Sequence, residues 1–410
     1  MDKTPRGLRL HIAILGRRNA GKSSLINAIT NQDIALVSSI PGTTTDPVYK
    51  AMEVPPLGPI MLVDTAGIDD EGELGQKRVK RTMKVLETAD VALLVVDGRL
   101  GLSSFDQGMA ALCSERKIPW LLVYTKGDLV AEDRKARLAR EHRIKYDVPV
   151  LWVSSVTKAG IEELKKLLAG VKPADWQAPA IAGDLVEPGE TILLVTPIDA
   201  AAPKGRLILP QVQTIRDILD HDCQCVVCKE TGLKKILEKL KTPPALVVTD
   251  SQVFGKVAAL VPPEIPLTSF SILMARYKGD LAALVQGAEA VASLKPGDRV
   301  LIGEACTHRC LADDIGRVKI PRWLEQAVGG SLKIDHASGY GFPEELEKYK
   351  LVVHCGGCML NRREMLHRIR AVTSEGIPIV NYGVLIAYLH GILPRALAPF
   401  QGKEKIYEVL

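Results

Sequence analysis

The sequence predicts an α/β chain of three parts: a phosphate-binding-loop domain over residues 1–172, a small α/β middle domain over 185–264, and a Rossmann-like α/β domain over 265–410. Three observations predict this. An apolar run at residues 8–15 feeds a glycine-rich loop and then a helical pattern, the order of a phosphate-binding strand, turn and helix. Further apolar runs at 91–96, 192–195, 245–249 and 351–353 lack polar alternation, as strands buried on both faces of a parallel sheet require. Cys306 and Cys355 each stand just after a short apolar run, where open α/β sheets place their ligands.

Bulk composition narrows the function classes. A chain of 410 residues is long enough for two or three domains with ample cores. Lys and Arg total 53 against 48 Asp and Glu, and a net charge of +5 is too mild to argue for nucleic acid. Aromatic residues make up 4%, which leaves few platforms for stacking bases. The first six residues run directly into an amphipathic strand, so no export signal is expected. No apolar run approaches the length of a membrane span. The eight cysteines cluster, which points to reduced thiols and metal in a cytoplasmic protein rather than to disulfides.

Taken in order, the first domain is the most explicit. Gly16 to Ser23 fits GxxxxGK[ST], followed by a helix over 24–30. Backbone N–H groups of Asn19, Ala20 and Gly21 would face phosphates, Lys22 would reach the β and γ phosphates, and Ser23 would ligate magnesium, with Ser24 opening the helix. Asp64-Thr65-Ala66-Gly67 follows an apolar strand at 60–63; Asp64 can hold magnesium through water and Gly67 can offer its N–H to a γ-phosphate. Thr125-Lys126-Gly127-Asp128 follows a strand at 119–124, and Asp128 can bind the guanine edge. A strand is expected at 148–153 and helices at 103–116, 131–140 and 160–169. Arg17 and Arg18 read as solvated charge, and Cys113 as core.

Residues 8–170 thus resemble a small GTPase of the TrmE/Era type, which implies GTP/GDP, Mg2+ and a P-loop GTPase fold, with Ser154 and Ser155 as the fifth guanine-contact motif. Two departures stand out. Thr125 replaces an Asn that would serve both the base and the P-loop, which implies modest nucleotide affinity. Ile68 stands where Ras-like enzymes carry a glutamine that orients water. The resemblance implies potassium activation instead, with K+ held by Asn19, the carbonyls of Ser38 and Ile40, and Thr43, and with Thr44 on magnesium. On this reading the catalytic residues are Lys22, Thr44, Asp64 and Gly67.

After a proline-containing linker at 171–179, strands are expected at 192–195 and 245–250 and a helix at 212–220. Cys223, Cys225 and Cys228 form CxCxxC with only His221 nearby, and read as incidental thiols or an interface feature. In the third part, strands at 299–302, 351–353 and 377–383 alternate with helices. Cys306 and His308 are separated by 45 residues, counted from His308, from His354-Cys355-Gly356-Gly357-Cys358. Three Cys with one or two His fit a Cys3His zinc site or an iron–sulfur cluster on Cys306, Cys355 and Cys358. His308, His354, Glu304 and Cys310 are the candidates for a fourth ligand; buried cysteines without metal are the bland third reading.

A GTPase domain, a middle segment and this CxH/HCxxC pair together resemble the HydF family of FeFe-hydrogenase maturation GTPases. The resemblance extends to the stretch from Thr196 to Leu207. It implies a 4Fe-4S cluster on Cys306, Cys355 and Cys358 with an exchangeable fourth ligand, and a middle domain that makes a homodimer. It also implies a scaffold or carrier role, in which a di-iron precursor assembled with two radical-SAM enzymes is delivered to the apo-FeFe-hydrogenase. No membrane or nucleic-acid partner is expected. Two rival readings are a ribosome- or tRNA-associated GTPase with structural zinc, and a redox-sensing GTPase whose cluster is closed by Cys310.

Overall fold

The computed structural model describes residues 4–31, 48–64, 82–171, 180–197, 207–305, 314–339, 343 and 345–402. Ser38, Ile40, Thr43, Thr44, Gly67, Ile68, Cys306, His308 and Cys310 lie outside them, as do most of the linker and most of the stretch after Thr196. The chain divides into two compact units, Met1–Gln177 and Ala178–Leu410.

The first unit is a six-stranded sheet of β1 (Leu10–Leu15), β2 (Val48–Val54), β3 (Gly58–Asp64), β4 (Val91–Asp97), β5 (Trp120–Thr125) and β6 (Val150–Trp152), in the order β2-β3-β1-β4-β5-β6. Only β2 runs antiparallel to its neighbour. The unbroken apolar runs have a direct physical cause. Along β1, Ile12 and Ile14 enter one core while Ala13 and Leu15 enter the other; β4 divides Val91, Leu93 and Val95 from Ala92, Leu94 and Val96 in the same way. With alternate side chains buried on opposite faces, a polar residue is held only where its hydrogen bonds are met, as at His11, whose ring faces the Arg6 carbonyl at 3.1 Å. The helices Lys22–Thr30, Ser104–Glu115 and Ile161–Gly170 fall within about two residues of their expected ends. The helix Glu132–Tyr146 runs well beyond the expected 131–140, because its polar composition hides its end until Asp147 adopts the left-handed conformation.

The second unit carries two four-stranded parallel sheets. One contains β7 (Thr191–Val195), β8 (Gln224–Cys228), β9 (Leu246–Thr249) and β10 (Leu267–Ser269), in the order β10-β9-β7-β8. The other contains β11 (Arg299–Glu304), β12 (Lys333–Ser338), β13 (Leu351–His354) and β14 (Ile379–Asn381), in the order β12-β11-β13-β14. β10 pairs with β9, so the first sheet continues past residue 265. A single apolar core runs through both sheets, from Ile181 to Phe400. The helix Leu281–Glu289 packs on β14 at Gly287, where a Cβ would lie 1.9 Å from the Ile379 carbonyl oxygen. Among the described residues, no helix is long and apolar enough to cross a membrane.

Candidate functional site

In the first unit, the ends of β1, β3, β4 and β5 converge on the P-loop. Gly16 leaves β1 at φ +142°, and a Cβ there would sit 2.2 Å from the Val95 carbonyl oxygen, so no larger residue fits. Asn19 (φ 60°) and Gly21 (φ 90°) complete the turn into the helix Lys22–Thr30. The open N–H groups of that helix start make an anion site. Ser23 and Ser24 are exposed on its first turn. Lys22 is buried and donates to the carbonyls of Gly16 and Arg17, both at 2.7 Å. Arg17 is not free surface charge: its Nε lies 3.3 Å from the buried carboxylate of Asp106, and its Nη2 donates to Gly101 at 3.3 Å. It therefore ties the loop to the start of the helix Ser104–Glu115.

Asp64 closes β3. Burial pushes its carboxyl up to about 6, opposed by the nearby Lys22, and its Oδ1 is buried without a hydrogen-bond partner among the described residues. An orphaned carboxylate oxygen beside a P-loop fits a magnesium ion's water shell. Thr125 lacks the amide of the Asn it replaces, yet it still reaches the P-loop. Its hydroxyl donates to the Ala20 carbonyl at 2.7 Å and also lies 3.2 Å from that of Val96, so the hydroxyl makes the link to the loop that an amide would make. Lys126 donates to the Asn19 carbonyl at 3.1 Å and to Asp97 at 2.6 Å. Asp128 follows on an exposed turn. Ser154 is buried and its Oγ accepts from the N–H groups of Val156 and Thr157, while Ser155 is half-buried beside it.

Thr125→Val keeps the shape and removes both hydroxyl contacts, leaving a buried carbonyl unsatisfied at a cost of about 1–3 kcal/mol. Guanine nucleotide affinity is expected to fall about tenfold in a fluorescent-nucleotide titration. Unchanged affinity would remove the hydroxyl from the support of the P-loop.

In the second unit, β11 and β13 lie side by side with Gly303 opposite His354. The Cys355 sulfur accepts from the Ala305 N–H at 3.1 Å and from the Gly357 N–H at 3.4 Å, the donor environment that suits a thiolate. Ala305 immediately precedes Cys306, which lies outside the described residues. Cys358 is half-buried in the same loop. Glu304, at the end of β11, is buried between the Tyr382 hydroxyl at 3.4 Å and the Arg317 Nε at 3.7 Å. Burial, then proximity to Cys355, pushes the Tyr382 phenol far above its usual range.

His354 has both ring nitrogens engaged. Arg368 can only donate, so Nε2 accepts from it at 3.1 Å and the Nδ1–H faces the Cys355 carbonyl at 2.7 Å. Burial first, and Arg368 second, hold the imidazole down to about 4, so the ring is neutral. Ligation through either nitrogen would break a buried bond. Arg368 continues to Gly339 O at 3.0 Å and Glu364 at 3.1 Å.

Sequence reasoning missed Lys278. Its ammonium is 2% exposed and donates to the carbonyls of Gly357, Cys358 and Leu360 at 3.3, 3.0 and 3.0 Å. Burial lowers it to about 8, against the raising effect of Cys358 and Cys355. No local signal marks it, since its partners lie some eighty positions away. Cys225 and Cys228 stand three apart on the regular strand β8 and so take opposite faces, while the buried Cys223 sulfur sits against the Glu187 and His221 carbonyls. Among the described residues, no group of three or more His, Cys, Asp or Glu could hold a metal ion.

Comparison with known proteins accounts for both units. Residues 11–126 match a family described as 50S ribosome-binding GTPase. Residues 181–279 match the hydrogen maturase F dimerization domain, and residues 282–399 the hydrogen maturase F tetramerization domain. The chain belongs to the hydrogen maturase F family. Its first unit is a P-loop GTPase domain similar to the GTPase Der of Kosmotoga olearia, 36% identical over 181 residues that cover 42% of this chain and 40% of the relative. It is also similar to the tRNA modification GTPase MnmE of Nitrosomonas europaea, 34% identical over 176 residues that cover 43% of this chain and 37% of the relative. The chain thus spans about two fifths of the length of these relatives. Among solved structures, Aquifex aeolicus Era is 17% identical with a TM-score of 0.36 over 82% of this chain and 94% of its own. The G domain of T. maritima FeoB is 24% identical, TM-score 0.31, over 40% of this chain and 98% of its own. In hydrogen maturase F terms, Lys278 falls just inside the end of the dimerization range and the HCxxC loop falls in the tetramerization range.

Proposed function

We propose that this chain is a GTP-hydrolysing scaffold of hydrogenase maturation. It holds a 4Fe-4S cluster on Cys306, Cys355 and Cys358 and delivers a di-iron precursor, made with two radical-SAM enzymes, to the apo-FeFe-hydrogenase. It works in the cytoplasm as a homodimer or a higher assembly. The observation that carries this reading is the bond from Ala305, the neighbour of Cys306, to the Cys355 sulfur, in a chain of the hydrogen maturase F family.

For GTP, the helix start at Lys22 and the loop N–H groups would bind the phosphates, and the Lys22 ammonium, held by the Gly16 and Arg17 carbonyls, would offer a further donor to the β and γ phosphates. Ser23, Thr44 and, through water, Asp64 would hold magnesium, which neutralises phosphate charge. Asp128 would read guanine and Thr125 would brace the loop. With Ile68 unable to orient water, Asn19, Ser38, Ile40 and Thr43 would hold K+, which supplies positive charge. Thr44 and Gly67 would sense the γ-phosphate, coupling hydrolysis to partner binding.

For the cluster, two backbone N–H donors on Cys355 and a neutral His354 fixed by Arg368 would hold the Cys355 thiolate in place. A fourth position with a non-thiolate ligand would accept and release the cargo without breaking a cysteine bond. Anaerobic reconstitution followed by dithionite reduction should give iron, sulfide and a reduced 4Fe-4S EPR signal that shifts when imidazole or cyanide is added. Zinc without iron, or a signal indifferent to both ligands, would reject the scaffold reading.

A further inference from the structure

The helix Phe270–Lys278 and the loop from Cys355 to Leu360 exchange cations. Lys278, the last residue of the helix, sends its three N–H donors to the three carbonyls of Gly357, Cys358 and Leu360. In return Arg362, the first residue of the helix Arg362–Ser374, reaches the carbonyls of Arg276, Tyr277 and Gly279 with one Nη. These are open carbonyls at the end of the helix that bears Lys278, where the helix dipole is negative. Each segment's unsatisfied acceptors are thus met by the other's charge. Gly357, at φ +58°, lies against the Met365 methyl, where a Cβ would come within 2.2 Å. The helix belongs to the dimerization range and the loop to the tetramerization range.

We infer that Lys278 and Arg362 form a reciprocal lock that presets the Cys355–Cys358 loop from the neighbouring module, with Lys278 also placing a fixed positive charge beneath whatever the thiolates hold. Both are positioning residues rather than ligands. The inference rests on the cluster reading above for its electrostatic half, and on geometry alone for the lock. A buried cation near a cluster favours the reduced, more negative state, so its loss lowers the reduction potential. Arg362 spends its charge on the carbonyls at the end of the helix Phe270–Lys278, so its loss should loosen the loop without that effect.

The test uses the full chain and two probes: Co2+ alone on the apo-protein, read by thiolate-to-cobalt absorption, and the reconstituted cluster, read by EPR-monitored redox titration. Lys278→Met should bind Co2+ at least tenfold more weakly and shift the cluster potential to more negative values. Lys278→Arg should restore the potential while cobalt binding stays weakened, since a planar fork cannot copy three ammonium bonds. Arg362→Met should weaken cobalt binding without moving the potential. Lys278→Met with unchanged cobalt affinity and potential would overturn the lock. Should that variant fail to fold, Lys278→Arg and Arg362→Met decide: unchanged cobalt affinity in both overturns it. A wild-type chain that takes up cobalt but no iron counts against the proposed function, and the cobalt series still decides the lock. A wild-type chain with no thiolate-to-cobalt band overturns both.

Discussion

Lys22→Ala should lower kcat for GTP hydrolysis at least a hundredfold, and the loss should exceed any rise in KM. Lys22 is the buried cation of the P-loop, held by two carbonyls at 2.7 Å, so its position is set before nucleotide arrives. Removing one preorganised donor to charge that develops in the transition state costs about 10²–10³ in rate. A second effect comes through Asp64. Lys22 opposes the upward push of burial that takes this carboxyl to about 6. Without Lys22 the carboxyl rises further and more of it is protonated at neutral pH, so the acid limb of magnesium-dependent hydrolysis should move to higher pH. Steady-state phosphate release across pH 5.5–8 measures both; a rate within threefold of wild type would remove Lys22 from the catalytic role.

Arg368→Met should destabilise the second unit by about 3–5 kcal/mol, the usual cost of removing one partner from a buried ion pair. Arg368 is 4% exposed, and one guanidinium serves His354, Gly339 and Glu364, the last itself 5% exposed. Methionine fills much of the volume but supplies no donor, so a buried carboxylate loses its countercharge and an imidazole nitrogen loses its hydrogen bond. In differential scanning calorimetry the transition of this unit should fall by roughly 10 °C. A non-hydrolysable GTP analogue distinguishes the two transitions, because ligand binding raises only that of the nucleotide-binding unit. A shift under 2 °C would show that the network carries no such load.

These two residues also mark how far the sequence could be read. Lys22 sits in a contiguous motif whose spacing is dictated by phosphate geometry, and strands such as β4 and β13 announce themselves because both faces are buried. Arg368, Lys278 and Arg362 look like ordinary helix-surface cations in the sequence. Arg368 and Lys278 are buried and Arg362 half-buried because acceptors up to 86 positions away come to meet them, and no local period encodes that. β12 escaped notice for a related reason: an edge strand with only partial cover keeps Lys333, Asp335 and His336, and so shows no apolar run. Thr125 and Arg17 were legible as positions but not as contacts, since a hydroxyl's or guanidinium's partner is chosen by the fold.

Among the described residues, every strand pairing but that of β2 with β3 is parallel, and this has a kinetic side. Parallel neighbours cannot be joined by a tight turn, so each pairing waits for a crossover to close. Among the described residues, the β2–β3 hairpin is the one pair that can zip locally. Both units therefore have a high contact order, and newly made chain exposes its apolar strands while distant partners are still being gathered. Recovery from denaturant should accordingly depend strongly on protein concentration, with dilution favouring the native state over association of unpaired strands.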